Sequence, residues 1–260
     1  MGTFLFETTV FGPVKSRRLG VSLGINLLPN DSKLCTFDCI YCECGWNPDS
    51  KKVKAILPSR ESVKEELREK LIFMLAQNES PDVITFAGNG EPTMHPDFAQ
   101  IIDDTIALRN EFSPKSRIAV LSNSTMLFKK EVVEALKLVD DNILKLDSAL
   151  PETIKIMNLP VGRFHLDQVV EQLASFEGQL IIQTMFLRGV FSHKSFDNTT
   201  EEEVNAWMKL LRKIRPEKVM IYTIARDTPI ESLEKISLDE LKTIASKVQS
   251  KLGITVEVSG

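Results

Sequence analysis

The sequence predicts an α/β fold in which parallel strands, wrapped by helices, curve into a partial barrel. Short apolar runs alternate with amphipathic helical segments along the chain, and strands buried on both faces belong to a parallel sheet covered by helices. The alternation gives six strand–helix units, fewer than the eight of a closed barrel, which needs about 250 residues for itself. The chain has 260 residues, 43% hydrophobic and 26% charged, enough to bury the core of a single domain over 1–260.

The first strand is VSLGINLLP (21–29), apolar, bounded by turn residues and preceded by an N-terminal extension, 1–20. SRESVKEELREKLIFMLAQ (59–77) has helical periodicity behind a Ser59 cap. VITFAGN (83–89) has the β-branched and aromatic content of a strand. HPDFAQIIDDTIALRNEF (95–112) follows as a helix that tolerates Pro96 near its start. RIAVLSNS (117–124) and KKEVVEALKLV (129–139) repeat the unit. NILKLDS (142–148) is the fourth strand, followed by a short helical piece near 151–157 and the helix HLDQVVEQLASF (165–176). QLIIQTMFLRG (179–189) precedes the helix EEEVNAWMKLLRKI (201–214), and EKVMIYTIA (217–225) is the sixth strand. The segment 227–260 reads as a closing helix and strand. SLDELKTIASKVQSKLG (237–253) opens on a capping box, Ser237 with Glu240, and stops at Gly253, and ITVEVSG (254–260) adds a short strand. The polar SHKSFDNTT (192–200) reads as a lid over the barrel mouth or as a disordered loop.

Thirty-two basic against 36 acidic residues give a formal charge of −4. Binding to polyphosphate by electrostatics usually needs a basic excess, so nucleic acid is a disfavoured partner. The N-terminus lacks the pattern of a secretory signal, and Phe6 stands where a myristoylation site needs Ser or Thr. No apolar run approaches the roughly 18 residues of a membrane span. A cytoplasmic protein with reduced thiols and no membrane partner is therefore expected.

All four cysteines, Cys35, Cys39, Cys42 and Cys44, lie in LCTFDCIYCECG (34–45). This is part of a long non-helical loop, 30–58, after the first strand. Parallel α/β folds carry their chemistry in loops at the carboxyl ends of strands, and loops this long are usually functional or disordered. A disulfide is disfavoured in a reduced compartment. A four-cysteine zinc site would be crowded and lacks the usual two-pair spacing. An iron–sulfur cluster suits closely spaced thiolates. Four thiolates would close such a cluster for electron transfer; three would leave one iron open for a substrate. The choice turns on Cys44.

Cys35-x3-Cys39-x2-Cys42, with Tyr41 before the last cysteine, resembles the signature of the radical S-adenosyl-L-methionine (SAM) superfamily. The resemblance implies a partial (β/α)6 TIM-like barrel. It also implies a [4Fe–4S] cluster on Cys35, Cys39 and Cys42, with SAM on the fourth iron. One electron then cleaves SAM to a 5′-deoxyadenosyl radical, which abstracts hydrogen from the substrate. GNGEP (88–92) is similar to the family's glycine–glycine–glutamate–proline motif, with Asn89 in place of the second glycine. It marks Gly88, Asn89, Gly90 and Glu91 as cofactor-binding. Tyr41 and the polar residues at strand ends are implied as further SAM contacts: Ser122, Asn123, Lys145, Asp147, Gln183, Tyr222 and Thr223.

Residues 11–45 resemble the wyosine-synthase-like branch, through Gly12 and Pro13, Ser16 with Arg17 and Arg18, and the Ser22, Leu23, Gly24, Asn26 stretch. The chain departs from that branch in having no cysteine before Cys35 for a second cluster and no room for a flavodoxin domain. The preferred reading is a stand-alone, oxygen-sensitive radical SAM enzyme. Its substrate would be small, a modified nucleobase or nucleoside being one class, and its electron would come from an external donor such as a flavodoxin or ferredoxin. The alternatives are a wyosine-like tRNA-modifying enzyme and a non-catalytic iron–sulfur electron-transfer or metal-binding protein.

Arg17, Arg18 and Arg188 are candidates for substrate binding, because guanidinium forks suit carboxylate or phosphate. Lys145 is a catalytic candidate if burial depresses its pKa and allows a Schiff base. Cys44 is either a redox-active thiol, a hydrogen donor or a bystander. His95 and His193 are unpaired candidates, and His165 reads as a cap or surface residue.

Overall fold

The computed structural model describes residues 4–16, 19–49, 55–225 and 228–260. In chain order the strands are β1 (Val10–Ser16), β2 (Gly20–Ile25), β3 (Val83–Phe86), β4 (Arg117–Ser122), β5 (Asp141–Lys145), β6 (Ile181–Met185), β7 (Leu187–Phe191), β8 (Lys194–Asp197), β9 (Lys218–Tyr222), β10 (Leu233–Lys235) and β11 (Thr255–Ser259). The helices are α1 (Arg60–Ala76), α2 (Phe98–Phe112), α3 (Lys130–Leu136), α4 (Pro151–Met157), α5 (Leu166–Ala174), α6 (Glu201–Ile214) and α7 (Leu238–Leu252).

The main sheet runs β1-β2-β3-β4-β5-β6-β9-β11. From β2 to β11 every neighbouring pair is parallel; β1 alone is antiparallel, on the edge. This is the mostly parallel, partial-barrel architecture that the apolar runs imply. Both faces of the strands are buried, which is why the runs do not alternate. In β4, Ile118 and Val120 join the large core under the helices, while Ala119 joins Val83, Ile143, Ile181 and Met220 in a smaller cluster on the other face.

Helix ends follow their sequence signals. Ser59 accepts from the Ser62 amide, Thr200 from Glu203, and Ser237 forms a complete capping box with Glu240. Gly253 closes α7 at φ 68°. The helix expected from residue 95 begins at Phe98, because a separate 3-10 turn, Pro92–Met94, precedes it.

Two features differ from expectation. Residues 10–16, placed in an extension ahead of the sheet, form its edge strand β1. The segment 192–200 is not a disordered loop: it carries β8, which pairs with β7 in a hairpin. Ser192 and His193 make the turn at φ 48° and 62°, the left-handed conformation that two-residue hairpins favour. With β10 these strands form a second, three-stranded sheet. No helix among the described residues is long and apolar enough to cross a membrane.

Candidate functional site

The cysteine loop is tied to the barrel at two places. On one side Leu34 bridges Gly90: the Leu34 amide donates to the Asn89 carbonyl at 2.8 Å and the Glu91 amide to the Leu34 carbonyl at 3.1 Å. A Cβ on Gly90 would lie 1.8 Å from the Leu34 oxygen, and its φ of 146° suits glycine alone. On the other side the Asp38 and Ile40 amides donate to the carbonyls of Leu159 and Met157, and the Val161 amide to that of Thr36. Beneath the loop, Phe37, Ile40 and Tyr41 pack on Met157, Met185, Leu187 and Phe196.

Polar side chains brace the loop from within. Buried Lys33 donates to Asp38 at 3.1 Å and to the Gly45 carbonyl at 2.9 Å. Asn47 accepts from the Cys35 amide at 2.8 Å and donates to the Cys35 carbonyl at 3.0 Å. Burial opposes the Lys33 charge, but Cys42, Cys35, Cys39 and Asp38 around it raise its pKa on balance.

Between loop and strand ends lies a cavity of about 230 Å3. Cys35, Cys39 and Cys42 line it from the loop; Gly88, Gly90 and Glu91 line it from the β3 exit. Ser122, Asn123, Lys145, Gln183 and Tyr222 line it from the ends of β4, β5, β6 and β9. Tyr41 and Lys33 complete the wall. The topology thus brings one cavity's lining together from five strands and the loop.

Two of the sulfurs receive amide donors. Asn123 Nδ2 and the Phe37 amide each lie 3.4 Å from Cys35 Sγ, and Asn158 Nδ2 lies 3.4 Å from Cys39 Sγ. Burial pushes the Cys35 thiol up to about 12, with Glu91 and Cys39 adding to it. A hydrogen bond from Cys44 brings Cys42 down to about 6. The Cys44 thiol sits outside the cavity lining, 3.5 Å from the Gly88 carbonyl.

Glu91 is buried and its oxygens are engaged, Oε2 by the Asn123 amide at 2.6 Å and Oε1 by the Thr93 amide and hydroxyl. Burial nonetheless raises its pKa. Asn89 does not line the cavity. Its side chain bonds the amide and carbonyl of Phe6 and the carbonyl of Pro29, tying the N-terminal segment to the β3 exit.

Asp147 is a hub beneath the cavity rather than part of its wall. It accepts from Tyr41, from Asn158 at 2.7 Å and from the Met185 amide at 3.0 Å, with Lys145 at 3.4 Å. Burial works against the Lys145 ammonium, but Asp147, Tyr222 and Cys39 outweigh it and raise its pKa. This corrects the expectation of a depressed, nucleophilic lysine: Lys145 is held as a cation. Replacing Asp147 by Ala strands the ammonium and leaves Asn158 and Tyr41 without their acceptor. It is expected to cost about 3–5 kcal/mol in urea unfolding, and Asp147→Asn distinctly less.

Arg188 is not brought to the cavity. It bonds Glu240 at 2.5 Å and Thr199 at 2.9 Å, with Asp197 at 3.1 Å. Arg17 and Arg18 lie outside the described residues. Thr223 accepts from the Ile236 amide. His95 bonds the Pro58 carbonyl and the Asp97 amide, His165 occupies the cap position of α5 without a side-chain cap bond, and His193 is in the hairpin turn. Sequence reasoning missed Lys33, Asn47 and Asn158. Lys33, two residues before the first cysteine, was the one with a local signal.

The radical SAM superfamily profile matches residues 30–176. A Helicobacter pylori protein named UPF0026 protein is 31% identical over 238 residues, covering 89% of this chain and 71% of its own length. A Brachyspira hyodysenteriae protein named GTPase Obg is 29% identical over 253 residues, covering 96% of this chain, but the chain spans only 35% of that protein. In fold, the chain is similar to Streptococcus suis SuiB, solved bound to S-adenosylmethionine. The TM-score is 0.62 at 14% identity, covering 88% of this chain and 49% of SuiB.

Proposed function

Because the chain belongs to the radical SAM superfamily, whose members use a [4Fe–4S] cluster and SAM, we propose that Cys35, Cys39 and Cys42 hold that cluster and that SAM binds beside it in the same cavity. Bound together, the two supply one-electron cleavage of the sulfonium to a 5′-deoxyadenosyl radical, which takes a hydrogen atom from a small-molecule substrate. In this reading residues 1–260 act as one radical SAM domain, supplied with electrons by an external donor.

One observation carries the reading. Three of the four thiols line the cavity and the fourth turns to the Gly88 carbonyl. Three thiols on one cavity wall suit a cluster, whose thiolates bind separate irons.

The chain's own groups then have distinct tasks. Asn123 and Asn158 donate to thiolate sulfur and orient Cys35 and Cys39. Lys33 places a buried positive charge beside three thiolates. Gly88 and Gly90 let Asn26 and the Leu34 carbonyl of the cysteine loop pack against the cavity wall, and Lys145, held protonated, offers a carboxylate partner. Gln183 and Tyr222 offer polar contacts from the far strands.

The test is anaerobic reconstitution with iron and sulfide, reduction with dithionite and addition of SAM. Formation of 5′-deoxyadenosine, measured by liquid chromatography and mass spectrometry, is the expected result. A reduced, cluster-loaded protein that leaves SAM intact refutes the reading.

A further inference from the structure

A second cavity, of about 320 Å3, adjoins the first. The two share Ala87 and Leu121 in their walls, so a molecule in the second would lie next to whatever fills the first. A cavity of this size suits a small ligand.

Aromatic rings from the N-terminal segment wall it on one side. Phe6 stacks on Phe11 with centroids 3.7 Å apart and planes at 20°, and Phe4 meets Phe6 edge-on at 4.9 Å. Gly24 makes room for this wall, since a Cβ there would fall 2.1 Å from the Phe11 ring. Such rings receive another flat ring by face or edge.

The polar lining residues are Lys15, Ser16, Ser22, Glu43 and Thr85, of which Ser16 and Glu43 are already engaged by other groups. Ser22 Oγ and Thr85 Oγ1, both buried, lie 2.8 Å apart in the cavity lining. Two hydroxyls carry two protons, and their mutual bond uses only one. The other is left to donate to an acceptor in the cavity. At the rim Lys15 is exposed and makes no ion pair among the described residues.

We infer that this second cavity is the substrate chamber, and that it takes a flat aromatic or heteroaromatic ring with a hydrogen-bond acceptor on its edge and an anionic group at Lys15. The inference rests on the radical SAM reading, which places the reactive species next door. The aromatic wall accounts for the ring, the surplus hydroxyl proton for the acceptor and the unpaired ammonium for the anion.

Calorimetric binding to the reconstituted protein tests it. The probes are AMP, GMP, CMP, UMP and indole-3-acetate, with the parent nucleosides and ribose 5-phosphate as controls that lack the anion or the ring. At least one ring-bearing anion is expected to bind with a Kd below about 1 mM, and its uncharged parent about tenfold more weakly. Lys15→Gln should weaken the anion about tenfold and leave the nucleoside unchanged; Phe6→Ala should weaken both. Circular dichroism confirms that each variant is folded. No binding by any ring-bearing anion, or binding that neither variant alters, overturns the inference. The 5′-deoxyadenosine assay without probe reports separately on the radical reading.

Discussion

A Cys39→Ser variant is expected to lose its cluster and with it the cleavage of SAM. Removing a partner in the outer shell of a metal site typically costs about 10–100-fold in affinity. Losing one of three direct thiolates should exceed that, so 5′-deoxyadenosine formation should fall at least about 100-fold. Iron per chain and the charge-transfer absorbance of the reconstituted protein provide the parallel readout. Cys44→Ser is the control. Its sulfur lies 3.5 Å from the Gly88 carbonyl and outside the cavity lining, and a serine hydroxyl can still donate to Cys42 as the Cys44 thiol does, so this variant should lose far less iron and turnover than Cys39→Ser. Equal losses in the two variants would contradict the three-thiol reading.

The second large effect is expected at Gly90. An alanine methyl there would meet the Leu34 carbonyl at 1.8 Å, at a φ of 146° that L side chains rarely adopt. Strain and overpacking together predict a loss of about 2–4 kcal/mol in urea unfolding. The cysteine loop should also lift from the β3 exit, because the Leu34 bonds to Asn89 and Glu91 cross this contact, and iron uptake should fall with it. Gly162→Ala makes the comparison: φ is 97° but nothing lies within 4 Å. It carries the backbone penalty alone and should take up iron normally.

The barrel was readable because its strands are buried on both faces. That makes each a continuous apolar run, and helices such as α6, with Thr200 at its cap, announce their own ends. β1 was not readable. As an edge strand with a register irregularity between Phe11 and Val14 it is half exposed, and Gly12 and Pro13 interrupt its pattern. The β7–β8 hairpin was hidden for another reason. Its turn uses Ser192 and His193 instead of a glycine pair, and only Phe186 separates β7 from β6.

At the site, residues fixed by local spacing were legible and residues fixed by tertiary contact were not. The cysteines and the polar strand ends meet because parallel strands end on the same side. Asn158 reaches Cys39 from 119 positions away, after α4, and no local pattern marks it. Asn89 and Asp147 show the converse. Both occupy strand-end positions, yet one side chain turns to Phe6 and the other becomes the acceptor beneath Tyr41 and Lys145. Lys145 shows why residue type alone misleads. Burial by itself works against its charge, and the neighbouring Asp147, Tyr222 and Cys39 reverse that outcome.

The most direct measurement is electron-nuclear double resonance on the reduced, reconstituted protein with SAM labelled at its amino nitrogen and carboxylate carbon. The account predicts hyperfine coupling from both labels, because one iron carries no protein thiolate and takes SAM in its place. A [4Fe–4S] signal that shows neither coupling and does not change when SAM is added would contradict it.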